Sequence, residues 1–354
     1  MTPFHFTSDP VRVIFGRGTL DKVGDEVRRL GRSRALLLST PQQVGQVRDL
    51  AGRLGALAVG VFSDATMHTP VEVTERALAM VVELKADCTV ALGGGSTTGL
   101  GKAIALRTDL PQFMIPTTYA GSEATAIIGE TRDGVKATQR TLKVLPEVIV
   151  YDVDLTMTLL ASMAATSGMN AIAHAIEALY AQDANPVTSL MAEECIRALA
   201  RALPRIAANP GDLEARSDAL YGAWLGGTCL NAVGMALHHK LCHTLGGSFD
   251  LPHAETHTVV IPHATAYNRV AAPAAMQRIA AALGAKDAAA GLFDLAVSLK
   301  APTSLKSLGL READLDRAAD LAVKSPYWNP RPVDRAGIRA LLDDAFHGRR
   351  PAVG

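Results

Sequence analysis

The chain is poor in cysteine, poor in aromatic residues and without surplus charge of either sign. Its four cysteines (Cys88, Cys195, Cys229, Cys242) show no Cys-x-x-Cys spacing, and most lie in apolar stretches. That argues against a disulfide scaffold or a thiol redox motif and predicts reduced, buried thiols in the cytoplasm. Basic and acidic residues balance at 35 each. No basic stripe appears, so nucleic acid is a poor candidate partner. No run of about 18 residues is free of charges or breakers, and no membrane span is expected. The N-terminus, Met-Thr-Pro-Phe-His-Phe, lacks a charged start followed by a long apolar run and does not read as a secretory signal. With aromatics at 5%, the interior is expected to be aliphatic and Ala-rich.

What is present points to two domains. A length of 354 residues fits two on the usual prior, and an apolar fraction of 48% fills two cores. Up to residue 159 the pattern alternates strand and helix. Arg12–Phe15, Ala35–Leu38, Val59–Phe62, Cys88–Leu92, Gln112–Ile115 and Glu147–Tyr151 read as short strands. Thr19 is placed to cap a helix running to Leu30, and Val71–Leu84 is a second helix. Continuous apolar strands with helices between them predict a mostly parallel sheet covered on both faces. Residues 127–143, with Asp133-Gly134 between polar arms, read as a hairpin. After residue 160 the strand signal ends. Helical patterns follow near 160–181, 187–207, 212–232, 234–246, 272–284, 288–299, 311–323 and 333–345. The expected organisation is an α/β dinucleotide-binding domain over 1–159 and an all-α substrate and catalytic domain over 160–354.

Gly93-Gly94-Gly95-Ser96 follows a strand and opens a helix. Glycines admit close approach of a ligand, and unpaired N–H groups at a helix start suit a pyrophosphate. The loop is neither Gly-x-Gly-x-x-Gly nor a Walker loop, so alone it also reads as a plain turn. A second loop, Pro116-Thr117-Thr118-Tyr119-Ala120-Gly121-Ser122-Glu123, adds hydroxyls at the end of the next strand. The strand Ala35–Leu38 runs into Ser39-Thr40-Pro41-Gln42, with no carboxylate to repel a 2′-phosphate. The candidate cofactor residues are Ser39, Thr40, Gly94, Gly95, Ser96, Thr117, Thr118 and Ser122. The expected cofactor is NADH or NADPH, with both tolerated.

Seven of the ten histidines lie between 174 and 263. Asn170 and His174 fall on one helix face, as do His239 and His243, and Pro252-His253 follows. A carboxylate at 170 would complete a metal site of carboxylate and imidazoles; the sequence has a neutral amide. His238 points away from His239 and reads as structural. His257 and His263 read as supporting or capping residues.

The segments Gly168-Met-Asn-Ala-Ile-Ala-His174-Ala-Ile-Glu, His239-Lys-Leu-Cys-His243-Thr-Leu-Gly-Gly and Leu251-Pro-His253-Ala resemble the iron-containing (group III) alcohol dehydrogenase family. The resemblance covers nearly the whole chain, including Asn329-Pro-Arg-Pro. It implies the dehydroquinate synthase-like fold of a dinucleotide domain followed by a helical domain. It also implies metal-ligand positions at 170, 174, 239 and 253, a His243 beside the nicotinamide, a Lys143 that reaches the cofactor, and a homodimer. Two departures, Asn170 and a loop at 117–123 one residue shorter than usual, resemble one branch, the maleylacetate reductases of bacterial aromatic degradation.

That resemblance implies reduction of a carbon–carbon double bond in an unsaturated keto dicarboxylate. An enolate forms, and its oxygen can be held by protonated imidazoles as well as by a metal. The expectation is therefore no bound metal, with His243 as proton donor. His253, His239 and His174 would hold the enolate oxygen or a carboxylate, and Asn170 would donate to substrate or orient His174. Lys143, Arg140, Lys240 and Arg331 are candidate carboxylate clamps. The alternative is a metal-dependent alcohol or aldehyde dehydrogenase on the same fold.

Overall fold

A computed structural model describes residues 4–132, 135–324 and 326–353. The chain divides into two compact units, Ser8–Leu159 and one made almost wholly of Leu160–Gly354. In the first, strands β1 (Arg12–Gly16), β2 (Ala35–Leu38), β3 (Ala58–Phe62), β4 (Cys88–Gly93), β5 (Gln112–Pro116) and a late strand at Val148–Asp152 form one sheet. Every pairing in it is parallel. Helices α1 (Val23–Arg29), α2 (Val44–Leu54), α3 (Val71–Glu83) and α4 (Gly95–Thr108) accompany the strands. Ile127–Arg132 (β6) and Val135–Arg140 (β7) pair antiparallel as the arms of the expected hairpin, and Val148–Asp152 is β8. Asp133 and Gly134, where the turn is expected, lie outside the described residues.

The strand order is β1-β8-β5-β4-β2-β3. The central strands β2, β4, β5 and β8 are buried at every position. That is why their sequences are unbroken apolar runs instead of alternating ones. Leu38 pairs with Ala91, and Gly93 with Pro116. The carboxyl ends of β2, β4 and β5 therefore stand side by side, and the three loops singled out in the sequence leave from one edge.

Two local expectations are corrected. Thr19 caps no α-helix. It opens a 3-10 turn, Thr19–Lys22, and its hydroxyl donates to the Tyr151 carbonyl at 3.0 Å. The helix expected at 311–323 begins as another 3-10 turn, Glu312–Asp314, and is α-helical only over Leu315–Val323. Helix α2 is not among the helices expected from the sequence, although Val47, Leu50 and Leu54 give it a buried stripe at helical spacing.

In the second unit the helices are α5 (Ala161–Tyr180), α6 (Pro186–Ala208), α7 (Leu213–Ala232), α8 (Leu237–Phe249), α9 (His253–Asn268), α10 (Pro273–Leu283), α11 (Ala288–Ser298), α12 (Leu315–Val323) and α13 (Arg335–His347). Seventeen of the 20 residues of α5 are buried, so it is a central helix packed all round. Helix α7 crosses it closely: a Cβ on Gly226 would stand 2.8 Å from the Ala171 carbonyl oxygen. Helix α9 is the other omission from the sequence reading. It contains Pro262 and is buried without a break from Thr256 to Thr265, so no amphipathic period marks it.

Candidate functional site

In the sheet unit, α4 starts at Gly95 with no side chain capping it. A Cβ on Gly93 would collide with Thr97 Oγ1, and one on Gly94 would meet Thr118 Cγ2 at 2.9 Å. A Cβ on Gly95 would meet nothing within 4 Å. The loop is thus packed tightly against its own helix and the neighbouring loop but open at the helix start, the geometry a pyrophosphate needs. The Thr117 N–H donates to the Gly93 carbonyl at 3.1 Å, joining the two loops. Gln43, which sequence reasoning passed over, ties in the third: its Nε2 donates to Thr117 Oγ1 at 2.8 Å, and Thr40 Oγ1 lies 3.3 Å from its Oε1. Ser39 is fully buried, and its hydroxyl donates to the Thr40 carbonyl at 3.1 Å. Ser122 follows Gly121, whose φ of 79° lies in the left-handed region. The side chain of Lys143 is exposed, and its backbone N–H donates to Thr141 Oγ1. The residues present fit a dinucleotide pyrophosphate between Gly94–Ser96 and Thr117–Ser122.

In the helical unit, α5, α8 and α9 bring the histidines together. Asn170 and His174 are one turn apart on α5, and both are buried. His174 Nδ1 lies 2.8 Å from His239 Nε2, and His239 Nδ1 lies 2.7 Å from Glu177 Oε2. Glu177, fully buried, also accepts the backbone N–H groups of His238 (2.8 Å) and Ala236 (2.9 Å). It is thus the cap of α8, which has no side-chain cap of its own. The sequence motif alone gives Glu177 no role. The available signal is its spacing, three residues beyond His174 and seven beyond Asn170, on the same helix face.

Burial pushes Glu177 above the usual carboxylate range, against the pull of these N–H donors. Burial also holds His239 and His257 well below the usual imidazole range, and takes His238 down to about 3. Burial thus favours the neutral form of all three rings, of which only His239 belongs to the set His174, His239, His243 and His253 expected to be protonated. The Glu177–His239 contact is a neutral N–H donating to a carboxylate. The network then assigns the protons. His239 carries its own on Nδ1, so its Nε2 accepts, and His174 donates from Nδ1.

His243 and His253 are exposed. The His243 ring lies 6.3 Å from that of His239. The ring of His257 is 4.2 Å from His253, 5.0 Å from His239 and 4.7 Å from His238. His238 Nε2 bonds the His257 carbonyl, in keeping with a structural role. Among the carboxylate clamps, Arg331 lies over the Tyr267 ring at 3.9 Å and donates to the Tyr267 carbonyl. Lys240 stands 5.7 Å from the centre of the Tyr327 ring, and Arg140 is exposed.

A parallel dinucleotide-type sheet followed by a helical histidine cluster defines a class, and comparison with known proteins identifies it. Residues 10–153 match the family described as iron-containing alcohol dehydrogenase, and residues 164–346 match the C-terminal part of the same family. The chain belongs to the iron-containing alcohol dehydrogenase family. Within it, the chain is 59% identical to a maleylacetate reductase of Rhizobium sp. (strain MTP-10005), over 99% of this chain and all of that one. It is 56% identical to a maleylacetate reductase of Burkholderia cepacia at the same coverage. The crystal structure of maleylacetate reductase from Agrobacterium tumefaciens matches with a TM-score of 0.97 and 58% identity, over 99% of this chain and 100% of that one.

The donor set departs in two ways from a carboxylate-and-imidazole site for the divalent cation that the family name implies. The 2.8 Å hydrogen bond between His174 Nδ1 and His239 Nε2 occupies a lone pair that a metal would need, and position 170 offers an amide instead of a carboxylate. Among the described residues, His238, His239 and His257 form a group of ring nitrogens within 4.8 Å of one another. His239 already spends both nitrogens there, on Glu177 and His174.

Proposed function

We propose that the protein reduces the carbon–carbon double bond of maleylacetate to give 3-oxoadipate, using NADH or NADPH and no metal. Near-full-length identity of 50–59% to maleylacetate reductases is the observation that carries this reading. The assignment of roles rests on the site.

Ser39, Thr40, Gly94, Gly95, Ser96, Thr117, Thr118 and Ser122 hold the dinucleotide, with the α4 N-terminus facing its pyrophosphate; Lys143 is assigned to the same cofactor. The bound dinucleotide supplies a hydride to the alkene carbon β to the ketone. The electron pair of the double bond then becomes an enolate, whose oxygen needs donors and whose α-carbon needs a proton. His243 gives that proton, and the enolate oxygen is held by His253 and by His174 when it carries a second proton. A well-placed donor of this kind contributes about 3–4 kcal/mol to the transition state. His239 acts through His174: with Glu177 behind it, it fixes which nitrogen of His174 carries the proton. Asn170 orients His174 or donates to a substrate carboxylate. An amide at 170 removes a negative charge from the neighbourhood of a dianionic substrate, which suits binding. A cytoplasmic homodimer is part of the same proposal.

The test is loss of NADH absorbance with maleylacetate before and after exhaustive chelation, with elemental analysis of the same sample. Turnover that survives chelation in metal-free protein is the expected result. Stoichiometric iron or zinc with chelator-sensitive turnover refutes the metal-free part, and no NADH consumption refutes the substrate.

A further inference from the structure

One charged group in the sheet unit has no place in the chemistry above. Lys102 lies on α4, seven residues beyond Gly95, and is only 2% exposed. Its Nζ donates to the Ser122 carbonyl (2.7 Å), the Thr125 carbonyl (2.6 Å), Thr125 Oγ1 (2.8 Å) and the Ile127 carbonyl (2.8 Å). Glu123, equally buried, sits within the same segment and accepts the Tyr151 hydroxyl at 3.0 Å. Burial brings the Lys102 ammonium down to about 7, with the Glu123 charge opposing, and raises Glu123 to about 6.

Taking an ammonium out of water is costly, and an apolar residue would fill the space at lower cost. The four oxygens show what the charge is used for. Three are the backbone carbonyls of Ser122, Thr125 and Ile127, on the stretch that runs from the end of the Thr117–Ser122 loop into the start of β6. Helix α4, which carries the lysine, begins at the Gly94–Ser96 loop.

We propose that Lys102 is a positioning residue of the dinucleotide site: it clamps residues 122–127 to α4 and so sets the spacing between the Gly94–Ser96 and Thr117–Ser122 loops. The inference rests on reading those loops as the cofactor loops. Glu123 serves the same end from the other side, anchoring the segment to β8 through Tyr151. A small outward shift of the second loop would leave the pyrophosphate donors of the first in place but unmatched.

Lys102→Met keeps the chain length and removes the charge. NADH fluorescence titration of the full chain reads the dissociation constant, and rates at saturating NADH read kcat. The expected result is NADH binding weakened about tenfold or more, with kcat at saturation and the KM for maleylacetate held within about threefold. NADH binding unchanged within about twofold overturns the inference, as does a fall in kcat with NADH binding intact. Thr118→Val removes a hydroxyl from the loop itself at nearly constant shape and separates two failures. If it weakens NADH binding while Lys102→Met does not, the Lys102 inference alone falls. If neither variant does, the reading of the loop falls as well. Should Lys102→Met fail to fold, Thr125→Val removes one of the four acceptors; a rise of about threefold in the NADH constant supports the inference, and no rise overturns it.

Discussion

Replacing Glu177 by glutamine changes one oxygen to an NH2 group and nothing else in outline. The carboxylate now serves two sets of donors. Oε2 takes His239 Nδ1–H (2.7 Å) and the Ala236 N–H (2.9 Å), while Oε1 takes the His238 N–H (2.8 Å). A glutamine oxygen can occupy only one of these places. Set towards His239, the amide turns its NH2 against the His238 N–H and leaves a buried donor in the first turn of α8 unpaired. Set towards His238, it confronts His239 Nδ1–H with a donor and drives the proton to Nε2, which reverses the hydrogen bond to His174. The first outcome costs about 1–3 kcal/mol of stability, which in a unit of this size lowers Tm by roughly 2–10 °C. The second moves the His174 proton from Nδ1 to Nε2, and losing the partner that fixes a catalytic imidazole's tautomer costs up to about 10⁴-fold in rate. Glu177→Gln is therefore expected to lose at least about tenfold in kcat/KM when assayed well below its melting transition, with the cofactor KM little changed. A variant that keeps more than about half of wild-type kcat/KM would show that the Glu177–His239–His174 chain is scaffolding and does not set the proton on His174.

Three further outcomes are expected. His243→Ala should fall below about a tenth of wild-type kcat, since a positioned proton donor is typically worth about 10²–10⁴-fold; a higher residual rate moves the donor role elsewhere. NADPH should support turnover as NADH does, because Ser39 and Thr40 present no carboxylate to a 2′-phosphate; a preference for NADH above about a thousandfold in kcat/KM contradicts that. The fold should be acid-sensitive. Burial holds His239 and His257 well below 6.5, His238 at about 3 and His263 at about 4. The unfolded chain then binds protons that the native chain refuses, so this contribution is full above pH 6.5 and is lost as pH falls from there towards 4. Each ring adds up to about 1.4 kcal/mol per pH unit to the slope; a Tm that stays level from pH 7 to 5 refutes neutral burial.

The sheet was legible because its central strands are buried on both faces, which leaves Ala-Leu-Leu-Leu at 35–38 and Val-Ile-Val-Tyr at 148–151 as unbroken runs. Helix α9 was not, because a helix wholly inside the protein has no polar face to set a period, and Pro262 argues against it locally. The histidines could be read as a group from spacing, since Asn170 and His174, and His239 and His243, each share a face. Their charge state could not. It depends on burial by α5, α8 and α9 together, and no local pattern states that. Glu177 was hidden for a related reason. One helical turn along α5 puts it behind His239, and its partners Ala236 and His238 lie some 60 residues further along the chain. Gln43 and Lys102 join loops far apart in sequence, and each alone reads as an ordinary polar side chain.

Helix α5 carries the amide, the imidazole and the carboxylate of the site on a segment that is also the middle of the hydrophobic interior. Evolution has little room to edit one without the other. Laboratory libraries randomised along this helix will lose soluble protein before they sample new reactivity, so changes of substrate are better sought from α8 and α9, where His243 and His253 reach solvent.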